Sequence, residues 1–333
     1  MNAAVASVPL WIIVLIKSAI LLLVVVTTFA YSMLAERKIM AWMQLRPGPN
    51  RVGPWGMLQP AADALKMMFK EDLTPNTADP LIYRLAPFIS LICAMGTFAI
   101  IPFTGDANGA ISIGNVNAGV LFIFSLTSIG VYGISLAGWA SGSKFPLLGS
   151  VRSTAQVISY ELSMSMSVIG VLILAGSTSL STIVSSQARV WFIVPQIVGF
   201  IIYIITAVAE TNRAPFDLVE AETELVGGFH TEYSGLRFGL FFIAEYLNMI
   251  TVSCLATLLF LGGWNPLFGP SNAWLGLLWF IVKAGMFLFF YIWLRSTLPR
   301  LRYDRLMDFG WKVLLPVATL NLIVTAVVIA VWG

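Results

Sequence analysis

The chain has 333 residues, 58% of them hydrophobic and only 11% charged, where a soluble domain carries roughly 25% charged residues. Its mean hydropathy of +0.88 and net charge of +3 describe more apolar surface than a soluble core of this size encloses. A soluble enzyme, a nucleic-acid binder and a disordered chain are excluded, and the composition reads as a multi-span membrane protein.

A spanning helix needs about 20 mostly apolar residues. The sequence predicts eight, at about 10–34, 84–103, 117–139, 155–176, 190–210, 238–261, 274–294 and 313–332. The first run has no basic segment before it and exceeds signal-peptide length, so it reads as a retained helix. Connections 1, 3, 5 and 7 carry sixteen of the 19 basic residues, whereas connections 2, 4 and 6 carry only Arg189. The positive-inside rule places the odd connections in the cytoplasm and both termini outside. Of the 16 acidic residues only Asp106 falls on the outer side, which predicts a folded, charge-paired cytoplasmic surface. The expected fold is one all-α integral membrane domain over 1–333, with eight transmembrane helices and cytoplasmic surface helices in connections 1 and 5.

In chain order, Lys17 lies near the outer end of the first span, where its stem can snorkel. Connection 1 opens with AERK (Ala35 to Lys38) and continues as RPGPNRVGPWG from Arg46 to Gly56. So much Gly and Pro makes a stiff, turning loop that projects Arg46 and Arg51. Residues 57–73 then read as an amphipathic helix, with Leu58, Ala62, Leu65 and Phe69 on one stripe and Asp63, Lys66 and Lys70 on another face. Such a helix suits the membrane surface.

Within the later spans, Glu161, Glu245 and Lys283 lie too deep to reach water. A central charge costs about 2.5–3.5 kcal/mol on insertion scales. Two readings fit them: a buried ion pair that fixes helix register, Glu245 with Lys283 for instance, or a hydrated proton path. Connection 5 is the densest polar segment, running from Glu210 through Arg213 and Asp217 to Glu220, Glu222 and Glu224. Asp217 followed by Glu220 predicts a helix start, with Gly227 and Gly228 as its stop. Such an acidic cluster near Arg213 is a candidate for coupled titration. Cys93 and Cys254 sit alone in apolar runs, and His230 is the only histidine. A metal or redox centre held by this chain alone is therefore not expected.

Two stretches carry a specific resemblance. AERKIMAWMQLRPGPNRVGPWGMLQPAADALKMMFKED and AETNRAPFDLVEAETELVGGFHTEYSG resemble the two most distinctive cytoplasmic connections of the NADH-quinone oxidoreductase H-subunit family. Its members are the membrane component of respiratory complex I at the junction with the hydrophilic arm, and the resemblance covers essentially the whole chain. It implies a subunit of a proton-pumping NADH:quinone oxidoreductase in the bacterial inner membrane, with quinone as substrate. FMN and iron–sulfur clusters are implied in partner subunits, not here. It also implies contacts with the quinone-reducing subunits of the hydrophilic arm and with small membrane subunits.

The quinone cavity and junction would draw on Glu36, Arg37, Arg46, Arg51, Asp63, Lys66, Arg213, Asp217, Glu220, Glu222 and Glu224. A proton path would use Glu161, Glu210 and Glu245, with Lys283 added for its depth. Span 3 offers no carboxylate, so a path there would need water or a tyrosine such as Tyr132. Two other functions remain compatible with the residues: the membrane anchor of an energy-converting hydrogenase, and a stand-alone ion transporter.

Overall fold

The computed structural model describes residues 9–104, 116–217, 227–266 and 273–332, and the regular structure in them is entirely helical. The helices are α1 (Leu10–Met43), α2 (Gln59–Phe69), α3 (Pro80–Phe98), α4 (Gly119–Ala140), α5 (Lys144–Ala175), α6 (Leu180–Ser186) and α7 (Ile197–Glu210). They continue as α8 (Gly235–Phe260), α9 (Ala273–Thr297), α10 (Tyr303–Phe309) and α11 (Leu315–Trp332). A five-residue π turn, Gly310–Leu314, joins α10 to α11 as one continuous rod.

Among the described residues seven helices are long and apolar enough to cross a membrane. The expected span at 190–210 is the exception. Pro195 cannot donate to a helical ladder and disfavours helix at the residue before it, so α7 begins only at Ile197. Its 14 residues cover about 21 Å. The irregular residues before it stay bonded: Ile193 donates its N–H to the Phe260 carbonyl at 3.0 Å.

Two helices run well past the expected boundaries. α1 continues to Met43, because nothing in ERKIMAWM breaks a helix before Leu45, which turns at φ 53°. α5 begins at Lys144 rather than 155, with Pro146 tolerated in its first turn. The Pro/Gly loop after α1 turns as expected through Gly53 and Gly56, at φ 73° and 75°.

Among the described residues, parts of connections 1, 3 and 5 meet at one end and parts of connections 2 and 4 at the other. At the charged end Asp79 accepts from the first-turn N–H groups of Leu81 and Ile82 at 3.0 and 3.3 Å. Its own N–H donates to the Ala140 carbonyl at 3.0 Å, and Tyr83 stacks on Tyr233 with centroids 4.1 Å apart. At the other end Val120 donates to the Thr178 carbonyl at 3.2 Å.

α8 is the central helix, buried along most of its length and surrounded by α3, α7, α9 and α1. The last helix is tied in by side chains: Gln196 donates to Thr325 Oγ1 at 2.6 Å, and Asn321 donates to Gln196 Oε1 at 2.9 Å.

α3 and α4 pack closest where α4 has no side chain. A Cβ on Gly133 would collide with Ser90 and come within 2.9 Å of the Ala86 carbonyl, the small-residue contact by which membrane helices approach. Gly133→Ala should therefore lower the thermal midpoint of the detergent-solubilised protein, equivalent to about 1–3 kcal/mol of overpacking. Gly285→Ala, with nothing within 4 Å of the added carbon, should leave the midpoint unchanged or slightly higher.

Candidate functional site

The charged end is organised around one arginine. Thr211 Oγ1 returns to the Ala207 carbonyl at 3.1 Å and Asn212 turns at φ 50°, so the chain leaves α7 and folds back beneath it. Gln156 of α5 fixes this turn by donating to the carbonyls of Ala209 and Phe216, both at 2.9 Å. The turn carries Arg213 into the bundle, where its side chain is only 6% exposed.

There Nη1 lies 3.1 Å from Glu36 Oε1 and Nε lies 2.8 Å from Glu245 Oε1. The guanidinium carbon sits 4.3 Å from the centre of the Tyr246 ring. Arg295, near the end of α9, pairs with the same Glu36 oxygen. Two carboxylates and two guanidiniums thus make a balanced cluster drawn from α1, connection 5, α8 and α9. Burial works against the charge on Arg213, but Glu245 and Glu36 outweigh it and raise its pKa, so it stays a cation.

Deeper in, a cavity of about 70 Å³ is lined by Glu210, Asn212, His230, Glu245, Asn248 and Thr127, among others. Glu210 Oε2 and Asn212 Oδ1 are buried without a protein hydrogen-bond partner. Glu245 therefore faces two ways, toward Arg213 and into the cavity. Beyond it, Ser128 of α4 donates to Glu161 of α5, and Glu161 is near enough to Glu210 for their charges to interact.

Several expectations are met differently. The pair suggested for Glu245 and Lys283 does not form: Glu245 pairs with Arg213, and Lys283 donates to backbone carbonyls at the opposite end. Tyr132 is 65% exposed, and on α4 it is Ser128 that bonds to the carboxylate of Glu161. Arg46 is exposed and bonded to Gln44 at 2.7 Å, and Arg51 is exposed. Neither pairs with a carboxylate among the described residues; Arg37 does, meeting Asp63 at 2.7 Å.

Asp63 also accepts from Gln59 at 3.1 Å and has Lys66 at 3.8 Å. α2 therefore turns its acid inward and leaves Leu65 and Phe69 54% and 86% exposed. Asp217 is buried and meets Arg300 at 3.1 Å. Glu220, Glu222 and Glu224, with the helix expected around them, lie outside the described residues. Among the described residues no three His, Cys, Asp or Glu are grouped to hold a metal.

Arg295, Tyr246, Asn212 and Ser128 lie at the cluster or beside the cavity without having been singled out, and His230 was noted only as the one histidine. Only Arg295 left a signal, as a basic residue closing an apolar run. His230 packs edge-on against Phe229 and Phe238. Burial lowers its pKa from 6.5 to about 4, with Asp217 opposing.

The fold and cluster define a class: a multi-pass helical membrane protein with a charge-balanced, buried ionic cluster at one end and, behind it, a largely apolar cavity into which a few acidic and amide side chains reach. A family model described as NADH dehydrogenase matches residues 16–326. The chain is 49% identical to the NADH-quinone oxidoreductase H subunit numbered 1 of Symbiobacterium thermophilum, covering 97% of this chain and 98% of that protein. It is 52% identical to the NADH-quinone oxidoreductase H subunit numbered 2 of Geobacter sulfurreducens, over 93% and 94% of the two chains. With the corresponding protein numbered 1 of Geobacter metallireducens the identity is 53%, over 93% and 94%. The chain belongs to the NADH dehydrogenase family, together with these H subunits.

Arg213→Met should destabilise the protein by about 3–5 kcal/mol, because it strips a buried partner from two carboxylates. Adding Glu245→Gln should recover part of that loss, as read from denaturant unfolding of each variant. The His230 environment gives a pH signature. Since its folded pKa is depressed, the contribution is intact above pH 6.5 and is lost as pH falls toward 4. The loss should run at up to about 1.4 kcal/mol per pH unit. His230→Phe should remove that component from the acid limb of a stability–pH profile.

Proposed function

We propose that the chain is the membrane subunit of a proton-pumping NADH:quinone oxidoreductase, contributing to its quinone cavity and coupling quinone reduction to proton movement. The relatives' names supply the reaction, and the observation that carries the coupling is the two-faced Glu245. One side of that carboxylate is held by Arg213; the other opens on a cavity where Glu210 keeps an unpartnered oxygen. A space of this size has room for several water molecules where its lining is polar, and these would join Glu245, Asn212 and Glu210 into one hydrogen-bonded row leading toward Glu161.

Reducing a quinone consumes two electrons and two protons and yields the quinol. The electrons come from iron–sulfur clusters of the partner arm, so this chain's part is the charge change. Losing negative charge near Glu36 or connection 5 weakens the hold on Arg213. A guanidinium that shifts toward Glu245 favours its ionised form, and one that retreats favours its protonation. Charges in a low-dielectric row act strongly on one another, so a change of charge at Glu245 is felt at Glu210 and, through it, at Glu161.

The exposed Trp42, Leu45, Trp55 and Phe69, interleaved with Arg46, Arg51, Lys66 and Lys70, form the face offered to the hydrophilic arm and to lipid at the quinone entrance. In this reading the charged end is cytoplasmic, and both termini lie on the outer side of the bacterial inner membrane.

Glu245→Gln and Glu161→Gln keep shape and hydrogen bonding while removing a titratable group. Both should leave the complex assembled on native gels but lower the number of protons pumped per electron in membrane vesicles. Normal pumping in both variants would sink the coupling role.

A further inference from the structure

The end of the bundle remote from the ionic cluster holds a buried cation of a different kind. Lys283 of α9 is 5% exposed, and no ion pair among the described residues includes it. Its Nζ donates to the carbonyls of Leu261 at 2.6 Å, Gly263 at 2.9 Å and Asn265 at 2.8 Å. An ammonium has three N–H groups and no acceptor, so its bonding capacity is filled. The Trp191 ring closes the remaining side, with its centroid 4.3 Å from Nζ, a cation–π contact.

These carbonyls stand just past the C-terminus of α8, where helix carbonyls lack intrahelical partners and carry partial negative charge. Two consecutive left-handed glycines, Gly262 at φ 68° and Gly263 at φ 54°, turn the chain so that the carbonyls converge. Neither accepts a side chain: a Cβ would meet Trp191 at 3.0 Å or Val184 at 2.9 Å.

The frame does not depend on the lysine. Gln187 accepts from the N–H of Gly262 at 2.9 Å and of Phe192 at 3.2 Å, and donates to the Leu258 carbonyl at 2.8 Å. Asn265 donates to the Val184 carbonyl at 2.9 Å, and Gly263 N–H to the Thr257 carbonyl at 2.8 Å.

We propose that the carbonyls of Leu261, Gly263 and Asn265 beneath Trp191 are a preformed monovalent-cation site, whose resident ion is the tethered ammonium of Lys283. Neutral carbonyls replacing a hydration shell suit a singly charged ion; a divalent ion would call for carboxylates, and none is among the groups holding Nζ. Lys283 is then a fixed charge that clamps α9 to the end of α8. The inference rests on this end alone and is independent of the coupling role of Glu245.

The test is Lys283→Ala in the assembled membrane complex, melted in ammonium, potassium or choline chloride at equal ionic strength. The midpoint should fall in choline and recover by at least half in ammonium or potassium, since choline is too large for the cage. Lys283→Met, which refills the space with an apolar chain, should fall and recover in none of them. An unchanged midpoint for Lys283→Ala, or a loss that ammonium and potassium do not repair better than choline, would overturn the site. Should neither variant accumulate, the native protein decides. A membrane-permeant amine reagent should modify the exposed Lys70 but leave Lys283 untouched until unfolding, and modification of Lys283 in the folded chain would refute the proposal.

Discussion

A guanidinium buried among apolar helices persists only where carboxylates and hydrogen bonds replace the water it has lost. Arg213 meets that condition through Glu36 on α1 and Glu245 on α8, two helices distant in sequence, while Arg295 on α9 adds a second guanidinium on Glu36. The positions of four elements are thereby made interdependent. α1, α8 and α9 cannot slide past one another without separating charges in a low-dielectric region, where each is worth most. The turn that delivers Arg213 is in turn fixed to α5 by Gln156. The cluster is at once a structural keystone and the electrical boundary of the cavity behind it.

The two ends of the bundle manage buried charge in opposite ways. The cluster end uses side chains against side chains, so each member has an alternative protonation state or partner within reach. The Lys283 end uses side chain against backbone, and carbonyls neither titrate nor change rotamer. In the second arrangement the acceptors are fixed, and only the lysine itself carries an ionisable group.

Hydropathy made the spanning segments legible because a bilayer imposes a length on every apolar run. It misjudged α1 and α5, since a helix continues beyond the bilayer until something breaks it. At the end of α1 nothing does before Leu45. α7 fell short for the converse reason: Val194 and Pro195 are apolar, and hydropathy does not register a missing N–H. Glu161 and Glu245 were visible as costly intramembrane residues and Glu210 as part of the polar connection 5, whereas Glu36 came from the family resemblance, and the partners of these acids were not visible at all. Whether Glu245 meets Lys283 or Arg213 depends on how connection 5 folds back, which no periodicity encodes. Backbone acceptors such as the Leu261 carbonyl have no letter in the sequence, and Ser128 is one serine among many.

The π turn at Gly310–Leu314 has a geometric effect that reaches well down the last helix. A π turn holds one residue more than the α-helical turn it replaces. Every side chain after it is therefore rotated by about 100° about the axis, relative to an uninterrupted helix. Asn321 and Thr325 face Gln196 only with that rotation included. The turn is accommodated where Gly310 packs against the Tyr160 ring, close enough that an added Cβ would lie 3.3 Å from a ring carbon. The phase of the final span is thus set at its beginning, by a single surplus residue. Removing that residue would leave α11 just as apolar and just as helical, with its polar edge turned away from the bundle and into lipid.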